Sequence, residues 1–253
     1  MAKGVSIKFK SYSETIPTLL NIIKFGNELK RYDKIVLKPA LKVGGKPSSD
    51  IKFVEEVLKY CMANKNPVAQ VFIAEGVDGE NTMDIFAERG YKELAERYGI
   101  GLIDLNNTEV EEIGWEFLKF NKIKYPKILK ESFVVSLPVL AVDEETDITG
   151  ALENMLGAFP SKHYSGWFGA GKKKLKAWPL KYAIHDILKC KMPEFGIIDA
   201  SERGAILAGQ PLEIDKQAAK LIGLDWKNVR YLRLVDESLD SLMPKGKKEE
   251  AIA

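Results

Sequence analysis

Three apolar stretches decide the fold of this chain: KIVLKPAL at residues 34–41, PVAQVFIAEG at 67–76 and GIGLIDL at 99–105. Each is short, rich in branched residues and closed by a proline, glycine or aspartate, which is typical of buried β-strands. The first connection between them carries apolar residues at helical spacing, namely Ile51, Val54, Val57, Leu58 and Cys61. The second connection is also helical, and Asn81 is placed to cap its start. Strands that alternate with helices in this way predict parallel βαβ units.

The same alternation extends to both sides of this central segment. Four further stretches predict strands, at residues 5–9, 132–140, 195–199 and 204–209. Further amphipathic helices are indicated from Leu180 and from Ile214. We therefore expect an α/β fold with a mixed, largely parallel sheet flanked by helices.

The second half of the chain is less regular. EFLKFNKI at 116–123 alternates and predicts an edge strand, and ITGALENMLGAFP at 148–160 predicts a helix of about three turns. Residues 161–179 are rich in glycine, aromatic residues and lysine, which indicates a long loop. We expect one domain over residues 1–240, followed by a flexible C-terminal tail at 241–253.

Composition narrows the function classes. With 38 basic and 36 acidic residues the formal charge is +2, so neither nucleic acid nor a membrane is an expected partner. Only Cys61 and Cys190 are available, so no iron–sulfur cluster is expected, and no haem site is indicated. The start, MAKGVSIKF, lacks the apolar segment of a signal peptide, and no apolar run approaches ~20 residues. We expect a cytoplasmic protein, whose oligomeric state the sequence leaves open.

A polar residue follows strand after strand. These residues are Lys38, Glu75, Asp104, Asp143 and Asp199. Because ligands of open α/β sheets bind at the carboxyl ends of the strands, the five side chains would share one face. Such a set could hold a divalent cation or act as acid and base. The alternative is that charged residues end strands simply because the chain reaches the surface there.

The loop at residues 161–179 carries two further patterns. Gly166 to Lys172 matches the first part of a phosphate-binding P-loop, but Lys173 stands where the motif needs Ser or Thr, so we interpret the match as coincidence. Basic and aromatic residues between 162 and 174 could stack nucleic-acid bases, or could pack on the domain with their lysines in water. The low net charge favours the second interpretation. A lid over the strand ends is a third, and His163 is its candidate acid–base group.

Three longer segments resemble the family called domain of unknown function 362. They are AEGVDGENTMDIFAERGYKELAERYGIGLIDLN at 74–106, SLPVLAVDEETDITGALENMLGAFP at 136–160 and FGIIDASERGAILAGQPLEIDKQAAKLIGLDW at 195–226. Together with Lys38 they cover most of the chain, from about residue 38 to residue 226. The resemblance implies an α/β fold and brings no established activity with it.

This chain departs from the family pattern at two places. Where relatives usually show Lys-Thr-His, it has Ala141, Val142 and Asp143, and where they have lysine before the helix asparagine it has Glu153 before Asn154. Two basic groups and an imidazole are thus replaced. The matching Asp215 is interpreted as structural.

These observations lead to two functional hypotheses. The first is an enzyme that acts on a small polar or anionic metabolite at the strand ends, with a divalent cation as one candidate cofactor. Its catalytic residues would be Glu75, Asp143 and His163; its ligand-binding residues Lys38, Gly76, Gly79 and Asn154; its metal ligands Asp104 and Asp199. The second is a non-catalytic binding or assembly protein, and RNA binding through residues 162–174 is a weaker third.

Overall fold

A computed structural model describes residues 3–166 and 171–238 of the chain. The strands are β1 Gly4–Lys8, β2 Lys34–Pro39, β3 Gln70–Glu75, β4 Gly101–Asp104, β5 Val110–Ile113, β6 Ile123–Pro126, β7 Phe133–Leu137, β8 Val142–Asp143, β9 Asp147–Ile148, β10 Phe195–Ala200 and β11 Ala205–Gly209. The helices are α1 Tyr12–Ile22, α2 Phe25–Leu29, α3 Ile51–Asn64, α4 Thr82–Glu88, α5 Tyr91–Tyr98, α6 Lys127–Glu131, α7 Ser161–Tyr164, α8 Leu180–Cys190, α9 Pro211–Leu221 and α10 Arg230–Glu237.

The main sheet has the strand order β1-β11-β10-β7-β2-β3-β4. The run from β10 to β4 is parallel throughout, whereas β11 pairs antiparallel with both β10 and β1. This confirms the predicted α/β fold with a mixed, largely parallel sheet. The remaining strands form two small hairpins, β5–β6 and β8–β9.

Helices cover both faces of the sheet, and the strands divide their side chains between two apolar clusters. In β2, Ile35 and Leu37 join the cluster that contains α1 and α3, while Val36 joins the cluster on the opposite face, which contains α8 and α10. Because side chains alternate along a strand, Lys38 follows Val36 onto that second face. The side chain of Lys38 therefore lies in the same layer as a short 3₁₀ helix, Glu153–Ala158.

The predicted helix at 148–160 is wrong, because only residues Glu153–Ala158 are helical and they form a 3₁₀ helix. The backbone N–H groups of Ala151 and Leu152 donate to the carboxyl group of Asp215, at 2.6 and 3.0 Å. These donors are therefore engaged by a side chain of α9. An α-helix across the segment would require a different backbone path.

The predicted edge strand at 116–123 is also wrong. The N–H groups of Leu118, Lys119 and Phe120 donate to the carboxylate of Asp186, so they are not free to join a strand ladder. The strand begins only at Ile123, where β6 pairs with β5 outside the main sheet.

Two features bear on the remaining sequence predictions. Helix α4 begins after Asn81, whose side-chain oxygen accepts from the N–H of Met83 at 2.9 Å, as the predicted cap requires. Within residues 3–166 and 171–238, no helix is both long and apolar enough to cross a bilayer. The tail predicted at 241–253 lies outside the described residues.

Candidate functional site

Lys38 lies at the centre of a buried polar cluster at the carboxyl end of β2. Its side chain is fully buried, and Nζ lies 2.7 Å from Oε2 of Glu75 at the end of β3. Nζ also donates to the backbone carbonyl of Asn154 at 2.7 Å and to Oδ1 of Asn154 at 3.2 Å. In return, the Asn154 amide donates to the carbonyl oxygen of Lys38 and to Oγ of Ser136, at 2.9 and 3.0 Å. Three predicted site residues therefore meet at one point.

Two glycines allow the backbone to close tightly around this cluster. A Cβ atom on Gly157 would lie 2.1 Å from Oε1 of Glu75 and 2.6 Å from Nζ of Lys38. A Cβ atom on Gly76 would lie 2.5 Å from the carbonyl oxygen of Gly157. A side chain at either position would therefore force its neighbours to shift. Gly76 lines the adjacent cavity, whereas Gly79 is not among the residues that line it.

Lys172 is a second buried lysine at the same place, and sequence reasoning missed it. Nζ donates to the carbonyl oxygens of Gly76 and Gly157 at 2.6 and 3.1 Å, and the backbone N–H of Lys172 donates to Oδ1 of Asp78 at 2.6 Å. Burial lowers the pKa of the Lys172 amine to about 8; Glu75 opposes this shift and the positive charge of Lys38 adds to it. One of the lysines that the RNA-binding hypothesis requires on the surface is thus buried.

A cavity of about 220 Å³ opens over this cluster. Lysines and carboxylates share its lining, which includes Lys42, Lys46, Lys172, Lys176, Glu75, Asp78, Asp143, Glu145 and Glu153. Charges of both signs around a small cavity are suited to a small ligand that carries more than one polar group.

Glu153 and Lys42 form an ion pair in the wall of the cavity, with Nζ 3.0 Å from Oε1. Burial raises the pKa of Glu153, while Lys42 opposes the shift. The second oxygen of Glu153, Oε2, is buried and has no hydrogen-bond partner among the described residues. Lys42, in the loop after β2, is thus the counter-ion of Glu153.

Asp143 lines the cavity as a charged group rather than as a base. Burial alone would raise its pKa, but hydrogen bonds from Thr146 and from the backbone of Glu145 outweigh burial, so the pKa lies below its usual range. Its Oδ1 accepts from the backbone and hydroxyl of Thr146, both at 3.0 Å. A carboxylate held in this way accepts a proton poorly near neutral pH.

The structure does not bring the remaining predicted residues to the cavity. Asp104 accepts from the N–H of Asn106 at 2.8 Å, and Asp199 accepts from the Tyr12 hydroxyl at 2.7 Å. Their strands, β4 and β10, are separated by four strand spacings, about 19 Å at ~4.8 Å each. The two aspartates are thus too far apart to hold one metal ion, and no group of three His, Cys, Asp or Glu suited to a metal occurs within residues 3–166 and 171–238. His163 lies in α7 and does not line the cavity.

Asp215 supports the site from behind, in agreement with its predicted structural role. Besides the two backbone donors already described, it accepts from the Tyr231 hydroxyl at 3.2 Å. Burial raises the pKa of Asp215 to about 7, although these hydrogen bonds oppose the shift. The carboxyl group fixes the backbone that leads into Asn154, which identifies Asp215 as a positioning residue.

Comparisons with known proteins give one solved structure and one curated relative of note. A crystal structure of a protein from Thermotoga maritima matches with a TM-score of 0.49 and 10% identity; the match covers 92% of this chain and 60% of that one. A thylakoid-associated protein of Synechocystis sp. is 23% identical over 249 residues, which are 92% of this chain and 76% of the relative. The family model described as "Domain of unknown function (DUF362)" matches residues 35–216, more than half of the sequence, and the chain therefore belongs to that family.

Proposed function

We propose that the chain binds a small polar or anionic metabolite in the cavity at the ends of β2 and β3, and acts on it by acid–base chemistry. The observation that carries this proposal is the buried amine of Lys172, which lines the cavity beside the Lys38–Glu75 pair. Lys38 is paired with Glu75, whereas the Lys172 amine has no carboxylate partner among the described residues, so an anion bound there would balance its charge.

Lys172 is the candidate acid–base residue. An amine with a pKa of about 8 is protonated for the most part at pH 7 but releases its proton readily, which general catalysis requires. Glu75 is ion-paired with Lys38 and accepts from the Gly76 N–H at 2.7 Å, so its role is to hold Lys38 in place. At the rim, Lys46 and Lys176 are exposed enough to attract an anion from solution.

The donor set favours an anionic ligand over a metal-bound one. Lys42, Lys46 and Lys176 pair with Glu153, Asp143 and Glu145 around the cavity, so each of these carboxylates has a lysine partner within 4.0 Å. A divalent cation would have to displace these lysines from the carboxylates. The proposed ligand is therefore an anion without a divalent cation.

A thermal-shift screen tests the proposal, using succinate, phosphate and sulfate as probes against a neutral diol of similar size. At least one anion should raise the melting temperature of the wild type. The rise should persist in the exposed control Lys92→Met and disappear in Lys172→Met. A flat panel for the wild type, or equal shifts in Lys172→Met and Lys92→Met, would exclude this function.

A second candidate is a binding or assembly role on another surface. Trp115, Leu118 and Trp178 are 61%, 46% and 50% exposed, and Nζ of Lys119 lies 4.4 Å from the Trp178 ring centroid. An exposed tryptophan beside a lysine is suited to protein or membrane contacts, and the Synechocystis relative is named for its association with thylakoids. Analytical ultracentrifugation and vesicle co-sedimentation should then show association that Trp178→Ser weakens, whereas a monomer that ignores vesicles would argue against this role.

A further inference from the structure

Lys172 is held in place along its whole length. Its backbone N–H is fixed by Asp78, and its amine is fixed by the carbonyl oxygens of Gly76 and Gly157. These two carbonyls use two of the three N–H positions of the ammonium among the described residues. The remaining direction is available to a group in the cavity that Lys172 lines.

The charges around this amine differ from those around Lys38. The Glu75 carboxylate is already occupied by Lys38 Nζ and by the Gly76 N–H, each at 2.7 Å. Within residues 3–166 and 171–238, no carboxylate oxygen lies within salt-bridge distance of Lys172 Nζ. A buried amine that has only backbone acceptors, with a second buried cation nearby, is in the setting that turns lysine into a nucleophile.

We infer that Lys172 forms an imine with a ligand that carries both a carbonyl group and an anionic group, as an α-keto acid does. The neutral amine attacks the carbonyl carbon, a C–N bond forms, and the carbonyl electron pair moves to oxygen. Both amine hydrogens leave with that oxygen as water, so the C=N bond replaces C=O without any oxidant or reductant. The inference rests on the proposed function, because the same cavity must receive the anionic group.

The depressed pKa of Lys172 is consistent with this chemistry, since an imine requires the neutral amine. Lys42, Lys46 and Lys176 also line the cavity, and the anionic end of such a ligand would compete there with their carboxylate partners. A cavity of about 220 Å³ has room for a short keto acid.

Reductive trapping tests the inference. The full chain is incubated with pyruvate and sodium cyanoborohydride at pH 7.5, and the adduct is located by intact mass and peptide mapping. Lys172 should react at least tenfold faster than the exposed Lys174, and the rate should rise with a midpoint near pH 8. The adduct should be absent from Lys172→Arg, unchanged in Lys174→Arg and slowed by succinate.

Equal labelling of Lys172 and Lys174 would overturn the inference. So would a pH dependence of the Lys172 labelling rate whose midpoint does not lie below pH 9. These two measurements need only the wild type, so they decide the question even if Lys172→Arg does not fold. If succinate raises the melting temperature but no Lys172 adduct forms, the imine is refuted and the proposed function stands. If the adduct forms and succinate has no effect on melting or on rate, the imine stands and the anion site is refuted.

Discussion

Replacement of Lys38 by methionine should destabilise the protein strongly, because the change leaves a buried negative charge without its partner. Wild-type Nζ lies 2.7 Å from Glu75 Oε2 and 2.7 Å from the Asn154 carbonyl. Methionine fills similar space but donates no hydrogen bond, so Glu75 retains the Gly76 N–H as its hydrogen-bond donor. Breaking a buried ion pair on one side costs about 3–5 kcal/mol, and we expect the free energy of unfolding to fall by that amount.

The matched control is Lys59→Met, because Lys59 also lies 2.7 Å from a glutamate, Glu56, but its side chain is 46% exposed. Exposed pairs contribute at most about 1 kcal/mol. Urea unfolding at pH 7, followed by circular dichroism, measures both losses. If Lys38→Met loses no more than Lys59→Met, the reasoning is refuted. The double variant Lys38→Met/Glu75→Met should recover part of the loss, since it removes the orphaned charge.

Three further outcomes are expected. The folded pKa of Lys172 is about 8, whereas its ordinary value is 10.5. The free energy of unfolding should therefore rise between pH 8 and pH 10.5 by about 3 kcal/mol more in the wild type than in Lys172→Met. Parallel curves of the two proteins against pH, measured by urea unfolding, would contradict this. The folded pKa of Asp215 is raised to about 7, so the stability that Asp215 contributes is fully present below pH 4 and is lost as the pH rises through 7. Over that range the free energy of unfolding of the wild type should fall relative to that of Asp215→Asn. The opposite slope would disprove the assignment. Gly157→Ala should lower the free energy of unfolding by about 1–3 kcal/mol, because its Cβ clashes with Glu75. Gly114→Ala is the control and should melt like the wild type, since no atom lies within 4 Å of its added Cβ. Equal melting temperatures for the two variants would show that the contact at Gly157 relaxes without cost.

The sequence predicts the sheet well because β2, β3 and β4 are short apolar runs with distinct ends. It also predicts that residues at the ends of parallel strands share one face, and Lys38 and Glu75 meet there because β2 pairs with β3. It does not predict which strands are neighbours. Asp199 also ends a strand, but the observed order inserts β7 between β10 and β2, and its carboxylate bonds Tyr12 instead.

Lys172 could not have been identified from its local sequence. It begins a run of three lysines, and nothing in that run distinguishes the buried amine from Lys173 and Lys174. Its burial depends on Gly76 and Gly157, which are about 96 and 15 residues away. Their carbonyl oxygens accept the hydrogen bonds that water would accept from an exposed amine. Contacts over such separations are set by the tertiary fold rather than by a motif.

The pairing of β1 with β11 has a consequence for synthesis of the protein. Gly4 stands opposite Gly209, so the first strand waits for about 200 further residues before its partner exists. At ribosomal rates of about 5–20 residues per second, this interval is roughly 10–40 s. Strands β2, β3 and β4 can pair during that time, whereas β1 remains an unpaired apolar edge open to wrong partners. Among the strands of the main sheet, β1 is therefore the one that stays longest without its partner during synthesis.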